Sequence, residues 1–398
     1  MKLHLVFILL LLAGLTLFSA CNDEPSSLGI EILESDYIEV KTFDSQVDSI
    51  GQNSSYFKRV LSLAASDWVL IGKNQNSTQT IVSSALLKFI FGLPDSIQND
   101  IENDSLNVLD SWVVLTNKYL FGDSLDQMEF TTHEITAFWP PNTFTVDDLP
   151  TLQYNPQNIG IDLTTSDTLY TFHIDDNDLV YSWMQNSIDT NTVKNYGIYL
   201  EPTANSNKII GFQALTLLSS QAAKLNVVIE KPGAYVDTIQ GFVSVDVSAV
   251  AGTEPVLTEG LMCVQSSVTF NSKLKFDVGV LPVGLVINKA KLILTADSAH
   301  SEFGSSFTNS LRAYYLGSND SLDTEGNPIT LSYGNNEYSG DITNYVRSWI
   351  SKNENYGMLI QPANLILGTE RFALKGSNYS EISLRPRVII TYTVKKNL

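Results

Sequence analysis

The sequence predicts an all-β protein: two tandem β-sandwich domains, each with one short α-helix, behind an N-terminal signal segment. Three observations predict it. Most of the chain reads as short apolar strands separated by Asn, Asp, Ser and Gly turns, the pattern of antiparallel sandwiches. The two halves repeat, with four elements recurring in the same order. The chain has 398 residues, enough for two domains of ordinary size.

Residues 1–20 read as a secretory signal peptide. Lys2 supplies the positive start, Leu5 to Leu17 carries no charge and is almost wholly apolar, and Ser19-Ala20 stand ahead of Cys21. The apolar core is too short to span a bilayer as a mature helix. Residues 21–34 form an acidic flexible tether, opening with Asn22-Asp23-Glu24-Pro25-Ser26-Ser27. Domain 1 is expected over residues 35–231 and domain 2 over 232–398, with Lys231-Pro232-Gly233 marking the boundary.

The repeat begins with Ala85-Leu86-Leu87-Lys88-Phe89, which is echoed by Lys273-Leu274-Lys275-Phe276. Each strand runs on to a Leu-Pro, Leu93-Pro94 and Leu281-Pro282, because proline cannot continue a paired ladder. An apolar strand follows in each half, Ser111-Trp112-Val113-Val114-Leu115 and Ala290-Lys291-Leu292-Ile293-Leu294. Next comes helical spacing. Positions 342, 345, 346, 349 and 350 make one apolar face with Asp341 as cap, and the first half offers Leu179, Val180, Trp183 and Met184 behind Asp175 or Asp176. Asn195-Tyr196-Gly197 and Asn355-Tyr356-Gly357 end the helices, glycine permitting a left-handed turn into a new strand. The closing strands are Leu225–Ile229 and Arg387–Tyr392.

Charge excludes one function class. Removing residues 1–20 takes Lys2 from the 24 basic residues and nothing from the 43 acidic ones, which moves the net charge from −19 to −20. Phosphate backbones and anionic lipid would repel such a chain, so no nucleic-acid partner is expected. Cys21 and Cys263 are the two cysteines; with Cys21 lipidated, Cys263 has no partner for a disulfide and reads as a buried inert thiol.

Cys21 behind small residues resembles the lipobox of bacterial lipoproteins, which implies diacylglycerol on the Cys21 thiol and a membrane attachment through lipid alone. The acidic residues after it resemble the export signal of surface lipoproteins in glycan-foraging Gram-negative bacteria. That likeness implies an outer-membrane protein exposed on the cell surface. Asp-Ser/Thr-apolar triplets such as Asp48-Ser49-Ile50 and Asp237-Thr238-Ile239 resemble the O-glycosylation triplet of those bacteria, and equally suit turns. The repeated motifs resemble DNRLRE-type domains, which are jelly-roll β-sandwiches of bacterial surface proteins. The second half carries Leu274-Lys275-Phe276, Leu281-Pro282, Ala290-Lys291-Leu292, Trp349, Asn355-Tyr356-Gly357 and Arg385-Pro386-Arg387-Val388. The first half carries Leu87-Lys88-Phe89, Leu93-Pro94, Trp183 and Asn195-Tyr196-Gly197, with Ala223-Lys224-Leu225 in place of the Arg-Pro step. The resemblance implies two tandem jelly rolls that serve either as carbohydrate-binding modules or as stalk and adhesive parts.

No catalytic constellation stands out. His133, His173 and His300 have no metal-ligand spacing, and the sequence holds no nucleophile elbow or phosphate loop. An acidic pair from distant strands would make a glycan-active hydrolase, the third reading after binding and spacing. Ca²⁺ is the one cofactor the loops suggest: Asp320, Asp323 and Glu325 gather hard oxygens, and Asp175-Asp176-Asn177-Asp178 does so again, unless these are a solvated turn and a helix cap. Sugar binding needs open aromatic faces, for which Trp139, Tyr314, Tyr315 and Tyr379 lie near loops and turns. Trp112, Trp183 and Trp349 read as core. The expected function is thus a non-catalytic surface lipoprotein that binds glycan, accessory to polysaccharide capture. The alternative is a structural or adhesive spacer binding other surface proteins.

Overall fold

A computed structural model describes residues 38–395, apart from 49, 65, 167, 215–220, 283, 319–321 and 323–327. The signal segment, Cys21, the tether and the Ca²⁺ candidates Asp320, Asp323 and Glu325 lie outside the described residues. The first half contains β1 (Ile38–Asp44), β2 (Gln52–Lys58), β3 (Leu63–Ala64), β4 (Trp68–Gln75), β5 (Thr80–Phe91), α1 (Asp95–Glu102), β6 (Asn107–Phe121), β7 (Phe130–Glu134), β8 (Gly160–Thr165), β9 (Leu169–Ile174), α2 (Asn177–Ile188), β10 (Ile198–Pro202), β11 (Ile209–Gln213), β12 (Lys224–Lys231) and β13 (Tyr235–Gly252). The second contains β14 (Leu261–Gln265), β15 (Phe270–Phe276), β16 (Val286–Thr295), β17 (Ser310–Tyr315), β18 (Ile329–Gly334), β19 (Glu337–Asp341), α3 (Thr343–Lys352), β20 (Met358–Pro362), β21 (Arg371–Lys375) and β22 (Arg387–Lys395). The protein is mostly β, and every strand pairing is antiparallel, as expected.

The repeated motifs make the same bonds in both halves. Asn195 donates its side-chain amide to the carbonyl of Phe89 at 2.9 Å and accepts from the amide of Gly197 at 2.9 Å. Asn355 does the same to Phe276 at 2.6 Å and Gly357 at 2.9 Å. Gly197 and Gly357 have φ of +92° and +88°, and a Cβ would stand 2.2 Å from the Leu87 carbonyl oxygen and 2.5 Å from that of Leu274. Leu-Lys-Phe and Asn-Tyr-Gly therefore form one joint that fastens each helix exit to a strand, and only glycine fits it.

Helix faces follow the apolar spacing. Val180, Trp183 and Met184 of α2 are buried, as are Tyr345, Val346 and Trp349 of α3. Asp176 caps α2 by accepting from the amide of Leu179 at 2.8 Å. α3 starts at Thr343, one residue later than an Asp341 N-cap requires, yet Asp341 still accepts the Thr343 amide at 2.9 Å. One helix per half was expected, and the first half has two. α1 follows Leu93-Pro94 and buries Ile97 and Ile101. Two aliphatic residues four apart in eight residues are too little periodicity to announce a helix.

Strand pairing crosses the boundary expected at 231/232. β1 and β2 pair with β22 and β15 of the second half. β13 pairs with β12 through Tyr235–Phe242 and with β5 through Gly241–Gly252. The two arrangements correspond: each half's closing strand and its Leu-Lys-Phe strand are extended by the segment that opens the other half. Arg387 of β22 fastens β1 by donating to both carboxylate oxygens of Asp44, at 2.9 Å through Nε. That pairing holds the Asp44 carboxyl below the usual carboxylate range. Separate apolar cores fill the two halves, and a third cluster, including Tyr119, Val268 and Phe270, lies between them.

Candidate functional site

The contact between halves centres on the loop 363–370, which joins β20 to β21. From the first half, Trp68 donates its indole N–H to the carbonyl of Leu367, and the Tyr119 hydroxyl accepts the Thr369 amide at 2.9 Å. Trp68 and Tyr119 stack with centroids 5.9 Å apart. A second loop approaches as closely. Gly304 has no room for a side chain, since a Cβ would meet the Tyr119 ring at 2.3 Å, and Ser305 donates its amide to the Leu120 carbonyl at 2.8 Å.

A cavity of about 220 Å³ opens at this junction. Its apolar walls are Trp68, Phe307 and Phe372. Phe307 is 40% exposed and lies parallel to Phe303 at 4.4 Å, so one ring face is supported while the residue stays open to solvent. The polar lining includes Thr308 and Asn364, joined by a 2.7 Å hydrogen bond from the Asn364 amide to the Thr308 hydroxyl. Glu370 completes it with a carboxyl that is only 4% exposed. Its Oε1 has no hydrogen-bond partner among the described residues, and Gly368 leaves the space that the carboxyl occupies, with both oxygens 2.4 Å from where a Cβ would be. Burial pushes the Glu370 carboxyl up from its ordinary value. An unsatisfied buried acceptor costs about 1–3 kcal/mol, a cost that folding alone does not explain.

Beside the cavity, Arg371 is fully buried and bridges the halves. It donates to Gln79 Oε1 at 3.0 Å and Thr78 Oγ1 at 2.9 Å, and pairs with Glu302 at 2.9 Å. Farther along β21, Asp297 receives Lys375 and the ring Nδ1 of His300 at 2.8 Å, while His300 Nε2 lies 3.0 Å from the Thr258 hydroxyl. Asp297 already has a cation on its second oxygen, so this chain of bonds ties three segments together.

The four aromatic residues expected near loops do not come together. Trp139 is 6% exposed, donates its N–H to the Tyr196 carbonyl at 2.8 Å and packs edge-on against Phe144. Tyr315 is 5% exposed and stacks in the core with Trp349. Neither offers an open ring face, because the neighbouring loop folds over Trp139 and the strand alternation turns Tyr315 inward. Tyr314 is half-buried on the opposite face, and Tyr379 is half-buried beneath Lys375, whose ammonium stands 4.1 Å from its ring centre. Trp112 was read as core but is half-buried, beside His173. Phe307 and Glu370 were missed; Ser305-Ser306-Phe307-Thr308, an aromatic among small polar residues, was the available signal for the first.

Among the described residues, no group of three or more His, Cys, Asp or Glu is placed to hold a metal ion, and Asp176 serves as a cap. No helix of the described residues is long and apolar enough to cross a membrane. The chain matches no protein-family model and no curated protein.

Proposed function

We propose that this chain is a lipid-anchored, surface-exposed lipoprotein of two tandem jelly-roll sandwiches that binds glycan without cleaving it, and that a sugar ring lies in the inter-half cavity. The observation that carries this reading is the cavity's lining. A pyranose presents a flat face of C–H bonds and a rim of hydroxyls, so it needs a supported aromatic face with amides, hydroxyls and a carboxylate at its edge. Phe307 supplies the face, and Asn364, Thr308 and Glu370 supply the edge. The cavity's size suits one ring. Location and lipidation rest on residues 1–21, and the jelly-roll assignment rests on the likeness to DNRLRE-type domains.

The test is affinity electrophoresis of the protein against plant, algal and host polysaccharides, with and without Ca²⁺. Retention by one glycan class is expected, and Phe307→Ala should abolish it while leaving the melting temperature within a degree or so, because a side chain this exposed contributes little to stability. Retention that survives Phe307→Ala places the site elsewhere. No retention by any glycan favours the second reading, a spacer or adhesive protein joining other surface proteins. The exchange of opening strands supports that alternative, since it makes the two halves one stiff unit.

A further inference from the structure

The two halves differ at one place where they otherwise correspond. In the first, Leu93-Pro94 leads into α1, which lies against α2: the Tyr181 hydroxyl donates to the Ile101 carbonyl at 3.3 Å. α1 is acidic, buries Ile97 and Ile101, and presents Asp100 to Lys231 at 2.6 Å. In the second half, only residues 283–285 separate Leu281-Pro282 from β16, too few to form a helix. The matching position beside α3 is a groove of about 920 Å³. Leu281, Leu285, Val286 and Ile350 line it, Val286 being 62% exposed. Exposed Lys275 and Arg347 supply its positive charge, and Arg347 stands where Tyr181 touches α1 in the first half. Trp349 also lines the groove, and its buried indole N–H has no hydrogen-bond partner among the described residues.

We propose that this groove docks a short acidic amphipathic helix of a partner protein, seated as α1 is seated in the first half. Two aliphatic side chains four residues apart fill the groove, and flanking carboxylates face Lys275 and Arg347. The chain's own α1 defines the shape and charge of the occupant, because it solves the same packing problem on the equivalent surface.

A fluorescent, lactam-bridged peptide with the sequence Leu93–Asp104 tests this in anisotropy titrations with the full chain. Saturable binding is expected, weakened by added salt and reduced about tenfold or more by Val286→Asp and by Lys275→Glu. Both substitutions are at exposed positions, and unchanged melting temperatures would verify the fold. A peptide carrying Ile97→Asp and Ile101→Asp should not bind. Absence of saturable binding, or equal binding to both variants, overturns the proposal. Self-association in sedimentation that Val286→Asp abolishes also overturns it, and assigns the groove to a second copy of this chain.

Discussion

Glu370 and Cys263 are both buried titratable groups, and burial has opposite consequences for what each can do. Glu370 has its pKa raised by burial, so the folded protein holds its proton more tightly than the unfolded chain does. Stability from this group is fully present below the ordinary glutamate value of 4.5 and is lost as pH rises through the raised one. Glu370→Gln should therefore stabilise the protein at pH 7, by about 1 kcal/mol, and flatten the fall in melting temperature above pH 4.5. If the carboxylate also receives a sugar hydroxyl, the same variant weakens glycan retention; a variant that is both more stable and equally retained would remove Glu370 from the site. Cys263 is fully buried and its thiol is pushed up to about 12 by that burial, against a smaller opposing effect of Arg371. It should stay unalkylated by iodoacetamide in the native fold and react only on unfolding, as intact mass would record.

At the scale of elements, the Asn-Tyr-Gly joints are the repeat's fixed points. Gly357→Ala forces a Cβ against the Leu274 carbonyl at a φ that side chains avoid, and a loss of about 1–3 kcal/mol is expected in chemical denaturation. Gly197→Ala should cost a similar amount, because its joint is the same. These joints, the helix faces and the Asp176 cap were legible in the sequence because each is set by residues within a few positions of one another. The cavity was not. Phe307 sits in an irregular loop with no periodicity to read, and Glu370 becomes a cavity residue only when the loop 363–370 meets Trp68, roughly 300 positions earlier. Trp139 was misjudged for a related reason: prolines beside it suggested an open loop, and only the packing of Phe144 and Val247 around it covers the ring.

For the whole molecule, the exchange of opening strands decides what counts as a folding unit. A break at 231/232 leaves residues 232–398 without β1 and β2, exposing the edges of β22 and β15. That fragment should show no cooperative thermal transition by circular dichroism, whereas residues 38–398 should show one. A sharp transition in the fragment would mean that the exchanged strands add little. Strand exchange could not be read from the chain, because β1 and β13 carry the same alternating pattern and either half would accept either segment.

The pairing of Ile38 with Lys395 also sets an order in time. The strand that opens the described chain has no place to settle until the one that closes it has been synthesised, so completion of the second sheet waits for nearly the whole polypeptide. Contacts this distant in sequence make folding slow. A chain that cannot finish folding early stays threadable for longer, a useful property in a protein that must pass through a membrane as an extended strand before it takes its final shape.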